Sequence, residues 1–297
     1  MRIERVLLEN LGPIGHAELA LGAVTAIVGT SGSGKTTALR AIQALLRNNR
    51  TGGKVLLRAG PIVLDRVGDQ SSLTEGHDFS MLPAPAYLQP SPWALRQAAA
   101  LNDGPTYLDE QGGMLASAVT RIILGAPETH AAIQSDLGRI VPRFRAVRSL
   151  PDGLQFTLRF DFDNAKNVHQ AEVSTGTLVS LALLVLVHAP ATHGRPGLLA
   201  LIDDPETALH PAAQVELINC LTAATSATDV QVLLATHSPF VVDAVGPQNV
   251  YVLGQGAEGR SEARPLSEHP DADRALRVLT AGEFWGSVGE NWAATNT

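Results

Sequence analysis

The chain has one cysteine, Cys220, among 297 residues, which excludes an internal disulfide. Cys220 lies in an apolar helical stretch, Val215 to Leu221, and is expected to be a buried structural thiol. No Cys/His cluster has the spacing of a zinc site. Long hydrophobic runs are lacking too. The longest, Leu178 to Ala189, is interrupted by Ser180 and His188 and is too short to cross a bilayer. The first residues, M-R-I-E-R-V-L-L-E-N-L, carry charges where a secretory signal needs an apolar segment. A cytoplasmic protein without a membrane role is therefore expected. Charge is scarce, at 17% of residues, and the net charge of -7 excludes a protein that coats nucleic acid over its whole surface. A local basic patch is still allowed. Apolar residues, at 45%, suffice for a sizeable core.

What is there is organised around residues 29 to 37, G-T-S-G-S-G-K-T-T. An apolar run, Val24 to Val28, precedes it and an amphipathic stretch, Ala38 to Leu46, follows it. Strand, glycine loop and helix form the context of a phosphate-binding loop, and Gly29, Gly34, Lys35 and Thr36 meet the pattern G-x-x-x-x-G-K-[ST]. Gly32 and Gly34 lack Cβ, so the loop can turn its N–H groups inward, and Thr30, Ser31, Ser33 and Thr37 complete the cradle. The helix N-terminus adds to the anion site. Lys35 places a point charge on the β/γ oxygens, and the Thr36 hydroxyl is the expected Mg²⁺ ligand.

Around this loop the chain reads as alternating elements. Arg2 to Glu9 and His16 to Leu21 form an antiparallel pair about a Gly12-Pro13 turn. Val55 to Val67 holds one or two strands, and Ala86 to Gln89 resembles a strand ending at Gln89. Helices are expected at Trp93 to Leu101, Met114 to Leu124 and Ala131 to Val141, and a strand at Leu154 to Phe162, where apolar residues alternate. Thr177 to His188 and Ala212 to Ala224 read as helices. Leu198 to Ile202, Val230 to Ala235 and Val250 to Leu253 read as buried strands. The sum is an α/β fold over residues 1–297 as one domain: a mostly parallel sheet flanked by helices, an N-terminal antiparallel part, and a helical insertion at about 92–150.

Three further stretches carry chemistry. Leu198 to Pro211 reads L-L-A-L-I-D-D-P-E-T-A-L-H-P, a buried strand that ends in acids. Asp203 can hold Mg²⁺ there, and Asp204 is placed to orient an attacking water. Val173 to Thr177, V-S-T-G-T, opens a helix; Ser174 is a good N-cap, and the helix N-terminus can meet a γ-phosphate held by a second subunit. Leu233 to Pro239, L-L-A-T-H-S-P, sets His237 at a strand's carboxyl end near the γ-phosphate.

Together these stretches resemble an ABC-type ATPase head of the P-loop NTPase class. The branch is that of the SMC, RecF and OLD-like proteins, AAA-family ATP-binding proteins often linked to prokaryotic defence. Walker A (Gly29 to Thr37), a signature-like segment (Ser174 to Thr177), Walker B (Leu199 to Asp204), a D-loop (Ala208 to Pro211) and the His237 loop span nearly the whole chain. The resemblance implies that two heads close on two ATP molecules, with Ser174 and Gly176 of each completing the other's site. It also implies a glutamine on Mg²⁺, assigned to Gln89 with Gln70 as the alternative. Lys35, Asp204 and His237 are then the catalytic set, and Thr36, Asp203 and Gln89 the metal set. The chain departs from the branch in having Asp204 where Glu is usual and in its degenerate signature. About 138 residues separate Thr36 from Ser174, too few for a long coiled-coil arm. No acidic motif of a TOPRIM nuclease follows His237, so an effector or nuclease is expected on another chain. An ATP-driven homodimeric switch that controls such a partner is the first reading. An ABC-transporter subunit and a nucleotide-dependent scaffold compete with it. Arg139, Arg143, Arg145 and Arg148 form a basic cluster, read as a solvated helix face, with a contact for DNA, RNA or an acidic partner as the other reading. Phe284, Trp285 and Trp292 are expected to dock on the domain, with a partner-binding tail as the alternative.

Overall fold

The structure, a computed structural model, describes residues 1–101, 108–190, 193–256 and 259–294. The chain opens with β1 (Arg5–Leu11) and β2 (Ile14–Ala20), then β3 (Val24–Gly29) and helix α1 (Lys35–Leu46). A meander of β4 (Lys54–Ala59), β5 (Ile62–Val67) and β6 (Gln70–Leu73) precedes β7 (Ala84–Leu88). Helices α2 (Leu115–Gly125) and α3 (Pro127–Ile140) lead to β8 (Phe144–Asp152), β9 (Gln155–Phe162) and β10 (Val168–His169). Helix α4 (Thr175–His188), β11 (Leu198–Asp203), α5 (Pro211–Ala227), β12 (Val230–Ala235) and α6 (Pro239–Val245) then alternate. Strands β13 (Val250–Gln255) and β14 (Ser261–Pro265) are followed by the short helices α7 (Ala272–Ala275) and α8 (Ala281–Val288). Contacts divide the chain into two compact units: Met1–Tyr87, Gly194–Asp204 and Asp229–Thr297 form the first, Leu88–His193 and Pro205–Thr228 the second.

The first unit is built on an eleven-stranded sheet of order β6-β5-β4-β1-β2-β14-β13-β3-β12-β11-β7. Its centre, β13-β3-β12-β11, is parallel. Every residue of β3, β11 and β12 is buried, which is why these segments read as predominantly apolar runs instead of alternating ones. The β1–β2 hairpin is antiparallel and alternates inward and outward, as expected of a sheet wetted on one face. Gln231 is the one polar residue in β12; its side chain accepts from Ile3 N–H (2.6 Å) and donates to the carbonyls of Ile3 (2.9 Å) and Gly22 (3.2 Å). A buried amide so satisfied pins the N-terminal segment to the sheet centre. Helix α1 presents Ala38, Leu39, Ala41, Ile42, Leu45 and Leu46 to β1, β3, β4, β11 and β12, a stripe at helical spacing.

Register sets which residues share the sheet's carboxyl edge. Asp203 pairs with Ala235, Ala235 pairs with Ile27, and β3 runs on to Gly29. The phosphate loop, the paired acids and the residues after β12 therefore leave neighbouring strands at one level.

In the second unit α2, α3, α4 and α5 pack on one another, and α2 and α3 cover β8. Residues 176 to 187 of α4 are all buried, in keeping with a helix that is apolar on every side. Cys220 of α5 is fully buried, and burial pushes its thiol up to about 12. His188 bonds Asp136 (2.8 Å), and Arg139 pairs with Asp136 (3.3 Å) and Glu216 (2.6 Å), so one polar cluster ties α3, α4 and α5.

Two expectations are corrected here. Trp93 to Leu101 is not a helix. Only Ala94–Arg96 makes a short 3₁₀ turn, after which Gln97 is extended and Ala99 bridges Phe156. Two prolines upstream, Pro90 and Pro92, and the pull of this bridge outweigh the helical composition. The insertion also stops being helical at Ile140. Arg143 takes a left-handed φ of 64°, and Arg145 and Arg148 stand on strand β8 and not on a helix face. Arg145 pairs with Asp163, and Arg148 with Asp161 at 2.9 Å. Three of the four arginines are thus engaged with acids, and exposed pairs of this kind contribute under about 1 kcal/mol each.

The C-terminal aromatics dock within the first unit. Phe284 and Trp285 are buried on α8, which packs on α6, and the His269 ring meets Phe284 and Trp292 edge-on at 5.2 and 4.8 Å between centroids. Phe284→Ala is expected to destabilise the chain by about 3–5 kcal/mol in urea unfolding. A loss under about 1 kcal/mol would mean that this tail is not part of the core.

Candidate functional site

A cleft of about 380 Å³ in the first unit is lined by Pro13, Ser31, Gly32, Gly34, Lys35, Thr36, Thr37, Asp203, Asp204 and His237. Its floor is the loop between β3 and α1. Gly29, Gly32 and Gly34 take φ values of 152°, 84° and 107°. At Gly34 the requirement is double: it is left-handed, and a Cβ there would lie 2.7 Å from Ile14 Cγ1. The loop is thereby held against the β1–β2 turn. Lys35, though a cation, is only 6% exposed. Its ammonium donates back to the carbonyls of Gly29 (2.8 Å) and Thr30 (3.0 Å), which satisfy it while keeping it on the loop.

The acids stand opposite. Asp203, the last residue of β11, is 2% exposed, and its Oδ2 accepts two hydroxyl bonds, from Thr36 Oγ1 (2.7 Å) and Tyr87 OH (2.9 Å). The Tyr87 phenol is held far above its usual pKa, first by burial and then by the neighbouring Asp203 charge. Arg40 of α1 lies over the Tyr87 ring, 3.6 Å from its centroid. Asp204 leaves the strand with a left-handed φ of 52°, a conformation Asp tolerates better than most residues. Its backbone N–H donates to Ala235 (3.0 Å). Burial and then the Asp203 charge raise the Asp204 carboxyl above its ordinary value, against the pull of His237 and Lys35. His237 follows β12 and is exposed in the cleft. It is carried between two well-fixed residues: Thr236 N–H donates to Ile27 (3.1 Å), and Ser238 Oγ caps α6 by accepting from Phe240 and Val241 N–H.

The donor set fits a magnesium nucleotide. Thr36 and Asp203 present hard oxygens, and a hydroxyl that gives its proton to Asp203 keeps lone pairs for a cation. Ser33 Oγ is buried in the loop without a hydrogen-bond partner, an orphan that a phosphate oxygen would satisfy. Among the described residues no group of three or more His, Cys, Asp or Glu side chains could hold a metal alone.

Of the residues expected from sequence, the cleft brings together Ser31, Gly32, Gly34, Lys35, Thr36, Thr37, Asp203, Asp204 and His237. Gly29, Thr30 and Ser33 belong to the same loop. Gln89, Ser174 and Gly176 belong to the second unit. Gln89 is exposed just beyond β7, and its backbone N–H donates to Glu110 (2.8 Å). Ser174 is the N-cap of α4 and accepts from Thr177 N–H (3.2 Å). A Cβ on Gly176 would sit 2.5 Å from the Ala208 carbonyl, so α4 and the D-loop segment meet backbone to backbone. Arg96 donates to the Val173 carbonyl (3.1 Å) and Thr175 Oγ1 (3.0 Å), holding the turn before α4. Sequence reasoning missed Tyr87, Arg40 and Arg96. Only Tyr87 left a signal, a lone polar aromatic two residues before Gln89 in a strand otherwise apolar.

Two family models each match part of the chain. Residues 16–124 match a family model described as "ABC transporter", and residues 114–243 one described as "AAA domain, putative AbiEii toxin, Type IV TA system". No curated protein matches the chain significantly. Three solved structures are similar in fold. An SMC head bound to the C-winged-helix domain of ScpA has a TM-score of 0.62 at 14% identity, over 94% of this chain and 100% of its own. An SMC head with an extended coiled coil, bound to the C-terminal domain of ScpA derived from Pyrococcus furiosus, gives 0.60 at 13% identity over 93% and 99%. The SMC head domain from Thermotoga maritima gives 0.53 at 16% identity over 89% and 99%.

Lys35→Ala removes a charge-assisted contact of about 1.5–3 kcal/mol, so calorimetry is expected to show ATP binding weakened by about 10- to 100-fold. Unchanged affinity would exclude Lys35 from the phosphate site. With its phosphate loop and paired acids on the carboxyl edge of this sheet, the chain has the fold of SMC head domains.

Proposed function

We propose that this chain binds and hydrolyses ATP, dimerises around it, and through that state controls a separate partner protein. The observation that carries the reading is the Thr36–Asp203 hydrogen bond of 2.7 Å in a cleft that Lys35, Asp204 and His237 also line. Thr36 and Asp203 would hold Mg²⁺, which neutralises phosphate charge when bound. Lys35 and the loop N–H groups stabilise charge that develops on the transferring phosphoryl group. Asp204 accepts a hydrogen bond from the attacking water and takes its proton, and His237 keeps that water and the γ-phosphate in line. Ser174 and Gly176, at the N-terminus of α4, are offered to the nucleotide of a second copy.

The partner reading draws support from the solved SMC heads that carry a bound ScpA domain. A role in prokaryotic defence draws support from the AbiEii-type description of the matching AAA model. One feature favours a slower, scaffold-like variant of the same reading. Asp204 is a methylene shorter than Glu and, with its raised pKa, carries a proton over a wider pH range than an exposed aspartate.

Asp204→Asn keeps the shape and removes the base. Turnover is expected to fall by about 10²–10⁴-fold, while light scattering with Mg-ATP shows a stable dimer. A variant that binds ATP and stays monomeric would sink the two-head model. The pH profile gives a second check. Because Asp204 acts ionised and its pKa is raised, activity is lost on acidification at a pH above the ordinary aspartate value of 3.8. An acid limb at or below that value would point to a different base.

A further inference from the structure

We infer that Tyr87 is a positioning residue for the cation site, fixing the Asp203 carboxylate from behind so that it is presented in one orientation. Three elements meet at this point. Asp203 ends β11, Thr36 opens α1, and Tyr87 lies in β7, the neighbour of β11 in the sheet. Both hydroxyls donate to the same oxygen, Oδ2, at 2.7 and 2.9 Å. A carboxylate held by one donor can pivot about its side-chain bonds. Two donors from separate elements converging on one oxygen fix the plane, and Oδ1 takes neither bond.

The two donors differ in kind. Thr36 lines the cleft, so its oxygen can face a cation, whereas Tyr87 is 3% exposed and is not among the lining residues. Tyr87 therefore acts only through Asp203. Its ring is itself held in place: the Arg40 guanidinium lies 3.6 Å over its centroid, and Arg40 also donates to Gln43 on the same helix at 3.4 Å. The arrangement matches the general case in which an outer donor orients a metal-ligating carboxylate and its loss lowers metal affinity by about 10- to 100-fold. Mg²⁺ demands near-ideal geometry, so a loosened carboxylate weakens Mg²⁺ more than a more tolerant divalent ion such as Mn²⁺.

The inference rests on Thr36 and Asp203 being cation ligands. Its test is binding of a fluorescent ATP analogue by the full chain, titrated separately with Mg²⁺ and Mn²⁺, for wild type and Tyr87→Phe, with thermal melting of both. Tyr87→Phe deletes the hydroxyl and keeps the ring. The expected result is a half-saturating Mg²⁺ concentration raised by about tenfold or more, a smaller rise for Mn²⁺, and metal-free analogue binding unchanged. Equal Mg²⁺ dependence in the two proteins would overturn the inference. So would equal rises for both ions together with a lowered melting temperature, which is the mark of a merely structural residue. Wild-type binding that ignores Mg²⁺ altogether would instead remove Thr36 and Asp203 as ligands, and the inference would fall with that reading.

Discussion

The hydrogen bond between Thr36 and Asp203 depends on much of the first unit being in order. It joins residues 167 apart in sequence, at 2.7 Å, and each partner is placed by a different element. Asp203 is aimed by the last position of a fully buried strand, Thr36 by the second position of a helix that starts at a left-handed glycine. The strand–helix spacing is set by apolar packing of α1 on β3, β11 and β12. A one-residue slip of β11 against β12 would turn Asp203 to the other face of the sheet and leave a buried carboxylate without its donors. The polar pair is thus a consequence of the hydrophobic register, and the cleft inherits its geometry from that register.

Electrostatics then divides labour between two adjacent acids. Asp203 is desolvated, but two hydroxyls meet its charge. Asp204, one residue on, is turned by its left-handed backbone into the cleft, where burial and its neighbour's charge favour the protonated form and Lys35 and His237 oppose them. Neighbouring carboxylates whose environments differ in this way can serve different roles, one holding a cation and one handling a proton. Under the proposed function, the same balance would make Asp204 the residue on which turnover depends most closely.

Much of this was legible in the sequence, and the reasons differ from element to element. The phosphate loop, β11 with its acids and β12 before His237 were plain because buried parallel strands leave predominantly apolar runs and because glycine and lysine at fixed spacing have few other uses. The hairpin of β1 and β2 was given away by alternation about Gly12-Pro13. The segment from Trp93 to Leu101 misled because its composition is helical, while its conformation is decided by prolines upstream and by a bridge to Phe156 far along the chain. The arginines from 139 to 148 misled because their acidic partners, Asp161, Asp163 and Glu216, are distant in sequence. Tyr87 was hidden for the same reason: nothing local says that its hydroxyl meets residue 203. In each case the missing information was a long-range pairing.

The central claim is that the cleft is a working ATPase site. It is tested most directly by phosphate release from ATP by the purified wild-type chain, with light scattering on the same sample. The account predicts turnover that stops when EDTA removes Mg²⁺, and a doubling of mass when Mg-ATP is added. ATP that binds tightly with neither phosphate release nor a change of mass would contradict it.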